Sequence, residues 1–153
     1  MKAIIQRVDK SDITINNNIK RNIGKGFLVL LGVMVDDTQE DVKILAKKIA
    51  NLRIFEDEDG KMNLSPIDLK ADIMVVSNFT LGADCSGGNR PYFSFAEHPS
   101  KAEPLYNKFI EEIKKYPLND VQTGEFGADM SINLINDGPV TIILDTNDLK
   151  KKK

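Results

Sequence analysis

The 153 residues carry a net charge of −2, with 41% hydrophobic and 29% charged side chains; this is the balance of one globular domain, and no apolar run approaches the roughly 20 residues that cross a bilayer. A lone cysteine, Cys85, cannot form an internal disulfide, and one histidine, His98, gives no zinc-type pattern, so neither metal nor cofactor is expected. Four of the 21 Lys and Arg residues are Lys150, Lys151, Lys152 and Lys153; the rest of the chain is therefore more acidic than its total, which argues against binding long nucleic acid through phosphate charge but not against recognising a nucleic-acid end.

Residues 1–9 alternate like a strand and carry Arg7 and Asp9 where a secretory signal needs an unbroken apolar stretch, so a cytoplasmic protein is expected. Four strands read in order as KAIIQRV, DITI, IKRNI and GFLVLLGVMV, separated by Asn and Gly punctuation; the last is apolar enough to be covered on both faces. Thr38 caps a helix running to about Arg53, because Val42, Leu45, Ile49 and Leu52 recur on one face while Lys43, Lys47 and Lys48 fall elsewhere. An acidic turn over 56–60 follows. Residues 72–81, DIMVVSNFTL, read as a buried strand that ends in a Gly- and Asn-rich loop over 82–90.

Ser100-Lys101-Ala102-Glu103 matches a capping box, Leu105, Phe109 and Ile113 continue an amphipathic helix, and Pro104 is tolerable in its first turn. Pro117 stops that helix. Three strands close the chain: VQTGEF, MSINLIN and PVTIILD. The sum is an α+β fold, a mainly antiparallel barrel-like sheet with two amphipathic helices, in a single domain over 1–148. Residues 149–153 form a basic tail, expected to be solvated and disordered or, on a sharper reading, an electrostatic tether to RNA.

Two segments stand out chemically. Ser77-Asn78-Phe79-Thr80 ends a buried strand with two hydroxyls and an amide beside a flexible loop, a place where sites gather, although both hydroxyls can equally serve backbone groups. Asn136-Asp137-Gly138-Pro139-Val140-Thr141 reads as a turn between two strands, and its Gly-Pro bond can be cis or trans. No conventional catalytic set accompanies them. His98 reads as a surface residue, Cys85 as inert, Gly24-Lys25-Gly26 as a turn without phosphate-loop spacing, and the acidic turn as solvated. No GxSxG elbow surrounds Ser77 or Ser86.

These residues resemble the D-aminoacyl-tRNA deacylase family. The likeness rests on Met1-Lys2-Ala3-Ile4-Ile5-Gln6-Arg7-Val8, Leu28-Val29-Leu30-Leu31-Gly32-Val33, Leu52-Arg53-Ile54-Phe55 with Gly60-Lys61-Met62-Asn63, Ser77-Asn78-Phe79-Thr80-Leu81, Asn89-Arg90-Pro91 and the Asn136 to Thr141 turn. It runs in order from residue 1 to about 145. The chain departs from the family pattern at Asn78, where Gln is usual, at Gly82, where a larger residue is common, and at Tyr92, where serine is usual.

The resemblance implies a homodimer that hydrolyses the ester between a D-amino acid and the aminoacylated 3′ end of tRNA, and that also accepts glycine. It implies a cis Gly138-Pro139 bond projecting into the partner's pocket, so that two chains build each site. An activated ester needs placed water and a stabilised oxyanion rather than a strong nucleophile. Ser77, Phe79 and Thr80 are the catalytic candidates, through backbone N–H groups near Phe79 and Thr80, with Thr80 as covalent nucleophile the weaker reading. Gly138 and Pro139 are candidates for chiral selection. Arg7 braces their loop or makes a plain ion pair; Asn78, Phe93, Met130 and Asn136 complete the substrate-binding candidates, the apolar ones being equally suited to a core. Two rivals stay open: a non-catalytic module that binds a nucleic-acid end or a partner protein, and a relative with a trans Gly-Pro bond that clears a small mischarged L-amino acid.

Overall fold

A computed structural model describes residues 1–151. The organising element is strand β1 (Lys2–Ile15), which alternates inward Ala3, Ile5, Ile13 and Ile15 with outward residues. Asn16 and Asn17 take left-handed backbone conformations at the following turn, which Asn tolerates better than most residues. Strands β2 (Ile19–Ile23) and β3 (Gly26–Gly32) then return antiparallel to the two halves of β1. The segments KAIIQRV and DITI are thus one strand.

Helix α1 (Gln39–Ala50) begins at Thr38, whose hydroxyl accepts the Glu40 N–H while Asp41 bonds back to the Thr38 N–H at 2.9 Å. A small hairpin, β4 (Phe55–Glu56) and β5 (Met62–Leu64), carries the acidic turn, and a short helix α2 (Pro66–Leu69) follows a Ser65–Asp68 capping box. Strand β6 (Asp72–Ser77) lies parallel to β3, with α1 in the crossover. Helix α3 (Pro99–Ile113) makes the next crossover to strand β7 (Asp120–Thr123), which is parallel to β6.

Strand β8 (Met130–Asp145) then pairs with β1 from Ile15↔Met130 to Lys2↔Asp145. The segments expected as two strands joined by a turn are therefore one strand, because both halves find the same partner. The register jumps from Gln6↔Thr141 to Val8↔Asn136, so residues 137–140 form a bulge opposite Arg7. Arg21 of β2 donates to the Thr123 carbonyl at 2.6 Å and helps close the sheet toward β7. The result is an α+β fold with a nearly closed, barrel-like sheet, mainly antiparallel but with two parallel pairs at β6.

One core lies between the sheet and helices α1 and α3, around Phe27, Phe55, Leu45, Ile49 and Phe109; a second fills the opposite face around Val8, Ile13, Leu28 and Met74. Four helices are present rather than two among the described residues. Helix α3 starts earlier than expected because His98, not Ser100, is its cap: Nδ1 accepts the Ser100 N–H at 3.2 Å. Pro104 consequently falls beyond the first turn. Helix α4 (Thr146–Lys151) takes in Leu149, Lys150 and Lys151 of the expected tail, because Lys150 pairs with the buried Asp41 at 2.7 Å. Lys152 and Lys153 lie outside the described residues. No helix among the described residues is long and apolar enough to cross a membrane.

Candidate functional site

Strand β6 is buried from Ile73 to Val76 and surfaces at Ser77. Asn78 stays extended, its N–H donating to the Leu31 carbonyl at 2.8 Å, and the chain then tightens into a turn of 3₁₀ helix, Phe79–Gly82. The Asn78 side chain folds back on that turn. Its Oδ1 accepts the Thr80 N–H at 3.2 Å and the Thr80 hydroxyl at 2.5 Å. An Asn amide is short enough to cap its own backbone two residues on. The Thr80 N–H expected to face a substrate is therefore already engaged. Among the described residues, no acceptor contacts the Phe79 N–H.

A cleft of about 650 Å³ opens beside this strand end. Ser77, Asn78, Phe79, Phe93 and Met130 line it, as do Glu97, His98, Phe126 and Asp129. The Phe79 and Phe93 rings meet edge to face, with centroids 5.1 Å apart. Thr80, Arg7, Asn136, Gly138 and Pro139 do not line the cleft of their own chain. Sequence reasoning missed the contribution of 126–129 and of Glu97 and His98. Both stretches are irregular, and only the fold carries them to the β6 end.

The loop facing Phe79 is held at several points. Gly82, the last residue of the 3₁₀ turn, packs so closely that a Cβ there would lie 2.8 Å from the Ala96 nitrogen, which accounts for a glycine at this position. The Val35 N–H donates to the Phe95 carbonyl, and the Glu97 N–H to the Val33 carbonyl, both at 3.0 Å. Asp84 and Tyr92 exchange two backbone hydrogen bonds. Behind the cleft, the Tyr106 hydroxyl donates to the Val75 carbonyl at 3.0 Å, and burial pushes that hydroxyl up to about 12.

The second candidate segment is the bulge of β8. Arg7 is almost wholly buried; its Nε donates to the Asp137 carbonyl at 2.9 Å and its Nη1 to the Ile54 carbonyl at 2.7 Å. The Asp137 carboxylate lies 3.3 Å from the same guanidinium. Asn136 closes the bulge, its Nδ2 donating to the Arg7 and Val140 carbonyls at 3.1 and 3.0 Å while its Oδ1 accepts the Val140 N–H at 3.2 Å. Arg7 thus braces the loop rather than forming a surface ion pair. Gly138 and Pro139 are exposed, and the peptide bond between them is cis. No cluster of His, Cys, Asp and Glu suited to a metal ion occurs among the described residues.

The sequence family described as D-Tyr-tRNA(Tyr) deacylase matches residues 4–145. D-Aminoacyl-tRNA deacylase of Thermosipho melanesiensis is 52% identical over 146 residues, covering 95% of this chain and 97% of its own. The protein of the same name from Clostridium botulinum strain 657 is 53% identical with the same coverage. A solved structure named c-Myc DNA Unwinding Element Binding Protein is 42% identical and superposes with a TM-score of 0.87, covering 95% of this chain and 98% of that one. Another, of a probable eukaryotic D-amino acid tRNA deacylase, shares the fold at a TM-score of 0.82 and 17% identity, over 94% of this chain and 97% of that one. A match that takes in the first strand, the Ser77-Asn78-Phe79 strand end and the β8 bulge together means that the chain belongs to the D-Tyr-tRNA(Tyr) deacylase family.

Proposed function

We propose that the protein is a cytoplasmic homodimeric deacylase that hydrolyses the ester joining a D-amino acid, or glycine, to the 3′-terminal adenosine of tRNA and leaves L-aminoacyl-tRNA intact. The observation that carries this reading is its full-length likeness to D-aminoacyl-tRNA deacylases. The cleft supports it: apolar Phe79, Phe93 and Met130 suit a nucleobase, and the strand end beside them offers hydrogen-bonding groups for an ester.

The chemistry is addition of water to the ester carbonyl carbon, followed by cleavage of the acyl C–O bond. The ribose oxygen leaves with a proton that originates on the water, giving a free amino acid and tRNA. The Phe79 N–H, which no acceptor among the described residues engages, is the donor best suited to the developing oxyanion. The substrate's 2′-hydroxyl is the base-relay group this reading assigns; the His98 Nδ1, 2.8 Å from the Ser100 hydroxyl, also accepts the Ser100 N–H and so serves as the cap of α3. Gly138 and Pro139 project from a braced bulge and lie outside their own chain's cleft, which suits them to a partner's cleft. There their carbonyls hold the substrate ammonium so that an L side chain collides with backbone while a D side chain points away. Ile135 and Ile143 on β8 are 48% and 74% exposed and offer an apolar surface to a second copy.

Purified protein incubated with D-tyrosyl-, L-tyrosyl- and glycyl-tRNA is the direct test. Release of D-tyrosine and glycine, with L-tyrosyl-tRNA intact, is expected. Cleavage of an L-aminoacyl-tRNA alone assigns the chain to an L-clearing relative, and cleavage of none assigns it to binding without catalysis.

A further inference from the structure

Of the aromatic side chains, the exposed ones all fall in one stretch of chain: Phe79 at 59%, Tyr92 at 61%, Phe93 at 37% and Phe95 at 54%. Phe79 and Phe93 line the cleft, whereas Tyr92 and Phe95 flank Phe93 and lie outside it. Rings left in water cost burial energy that the fold recovers elsewhere for its other aromatics, so this concentration calls for an occupant. The backbone carrying them is not loose. Tyr92 is paired with Asp84 through bonds of 2.6 and 2.9 Å, the Phe95 carbonyl holds Val35, and the Ala96 N–H donates to the Phe93 carbonyl at 3.1 Å.

Charge narrows the choice of occupant. Residues 85–96 contain one charged side chain, Arg90, in a chain that is otherwise net acidic. Asp84 and Glu97 bound the stretch, so its charge is small and its rings dominate; an exposed cation two residues from Tyr92 among rigidly carried aromatic rings matches a single strand of nucleic acid, whose bases stack and whose phosphates are anionic. A groove that bound by phosphate charge alone would need several more lysines or arginines.

We propose that Tyr92 and Phe95 form a stacking platform for the unpaired nucleotides that precede the terminal adenosine, so that the single-stranded 3′ end of tRNA is read beyond the cleft itself. The proposal rests on the deacylase reading for the identity of the RNA, but its surface is separate from the residues that act on the ester. The rings supply contact area at low ordering cost because their backbone is already fixed.

The test uses two substrates and one binding probe. The probe is a 5′-fluorescein RNA hairpin ending in an unpaired ACCA that carries no aminoacyl group, followed by anisotropy with wild type, Tyr92→Leu, Phe95→Leu and Tyr92→Phe, all checked for native circular dichroism. The substrates are D-tyrosyl-tRNA and the D-tyrosyl ester of adenosine, which lacks the preceding nucleotides. Each Leu variant should weaken hairpin binding and raise KM for D-tyrosyl-tRNA about tenfold with kcat retained. The adenosine ester should be cleaved at the wild-type rate, and Tyr92→Phe should behave as wild type.

Leu variants that leave hairpin affinity and KM unchanged overturn the platform and assign the patch to a protein partner; so does an equal loss on both substrates. If wild type binds the hairpin in a Tyr92-dependent way yet cleaves neither ester, the deacylase reading fails while the platform stands. If wild type does not bind the hairpin, the platform falls whatever the ester assays show.

Discussion

At the level of single residues, the strand end at Ser77-Asn78-Phe79-Thr80 separates two mechanisms that the sequence leaves open. A Thr nucleophile needs a base to take its proton. The Thr80 hydroxyl instead donates at 2.5 Å to the Asn78 amide oxygen, which is not basic enough to serve, and no carboxylate or imidazole contacts it among the described residues. On the proposed reading, Thr80 then holds the turn that presents the Phe79 N–H. Thr80→Ala and Ser77→Ala should each keep the D-tyrosyl-tRNA deacylation rate within about tenfold of wild type, as expected when an attacking oxygen is not what was removed. Single-turnover assays measure this directly. Loss of turnover in Thr80→Ala with an intact fold would restore the covalent reading. The place of Asn78 at the strand end, where it lines the cleft, was legible in the sequence, but its backward fold was not, because the choice between capping and reaching outward is made by the following backbone geometry.

Elements were legible where periodicity was long. Helix α1, its Thr38 cap and the buried β6 all follow from spacing, whereas α2 and the 3₁₀ turn are too short to show a period. Helix α4 was hidden by its run of lysines, which reads as a solvated tail until Asp41 is seen beneath it. Burial alone would raise the Asp41 carboxyl, but hydrogen bonds from Lys150, Thr146 and Thr38 outweigh it and hold the group well below the ordinary carboxylate range. A carboxyl depressed in the folded state binds fewer protons there than in the unfolded chain, so its contribution is complete above the unfolded value near pH 4 and is lost as pH falls below it. Asp41→Asn should therefore cost roughly 2 kcal/mol at pH 7, a fall of about 5 °C in Tm for a chain of this size. Melting curves at pH 7 and pH 2.5 should show the gap between variant and wild type narrowing at the lower value, though not closing, because the folded group still stays ionised there; a constant gap would mean that Asp41 acts through shape alone.

For the whole molecule, barrel-like closure was legible from the number of strands, but the continuity of β8 was not. Asn-Asp-Gly-Pro is turn chemistry by local rules, and only long-range pairing of both flanks with β1 turns it into a bulge. That bulge carries Gly138 away from its own cleft, which makes the assembly itself testable. A Cβ on Gly138 would fall 2.1 Å from the Val140 nitrogen, so Gly138→Ala must displace the loop that Arg7 and Asn136 brace, while leaving the cleft of the same chain unaltered. Phe93→Arg does the converse, placing a long charged side chain in the cleft and leaving the bulge intact. Each variant alone should lose most D-tyrosyl-tRNA deacylation. When equal amounts are unfolded and refolded together, mixed dimers contain one site with an intact cleft and an intact partner loop, so about a quarter of wild-type activity should return. The mass of the mixture in solution shows whether dimers have formed. Dimers that regain no activity would mean that cleft and loop belong to one chain, and active monomers would mean that no second copy is needed.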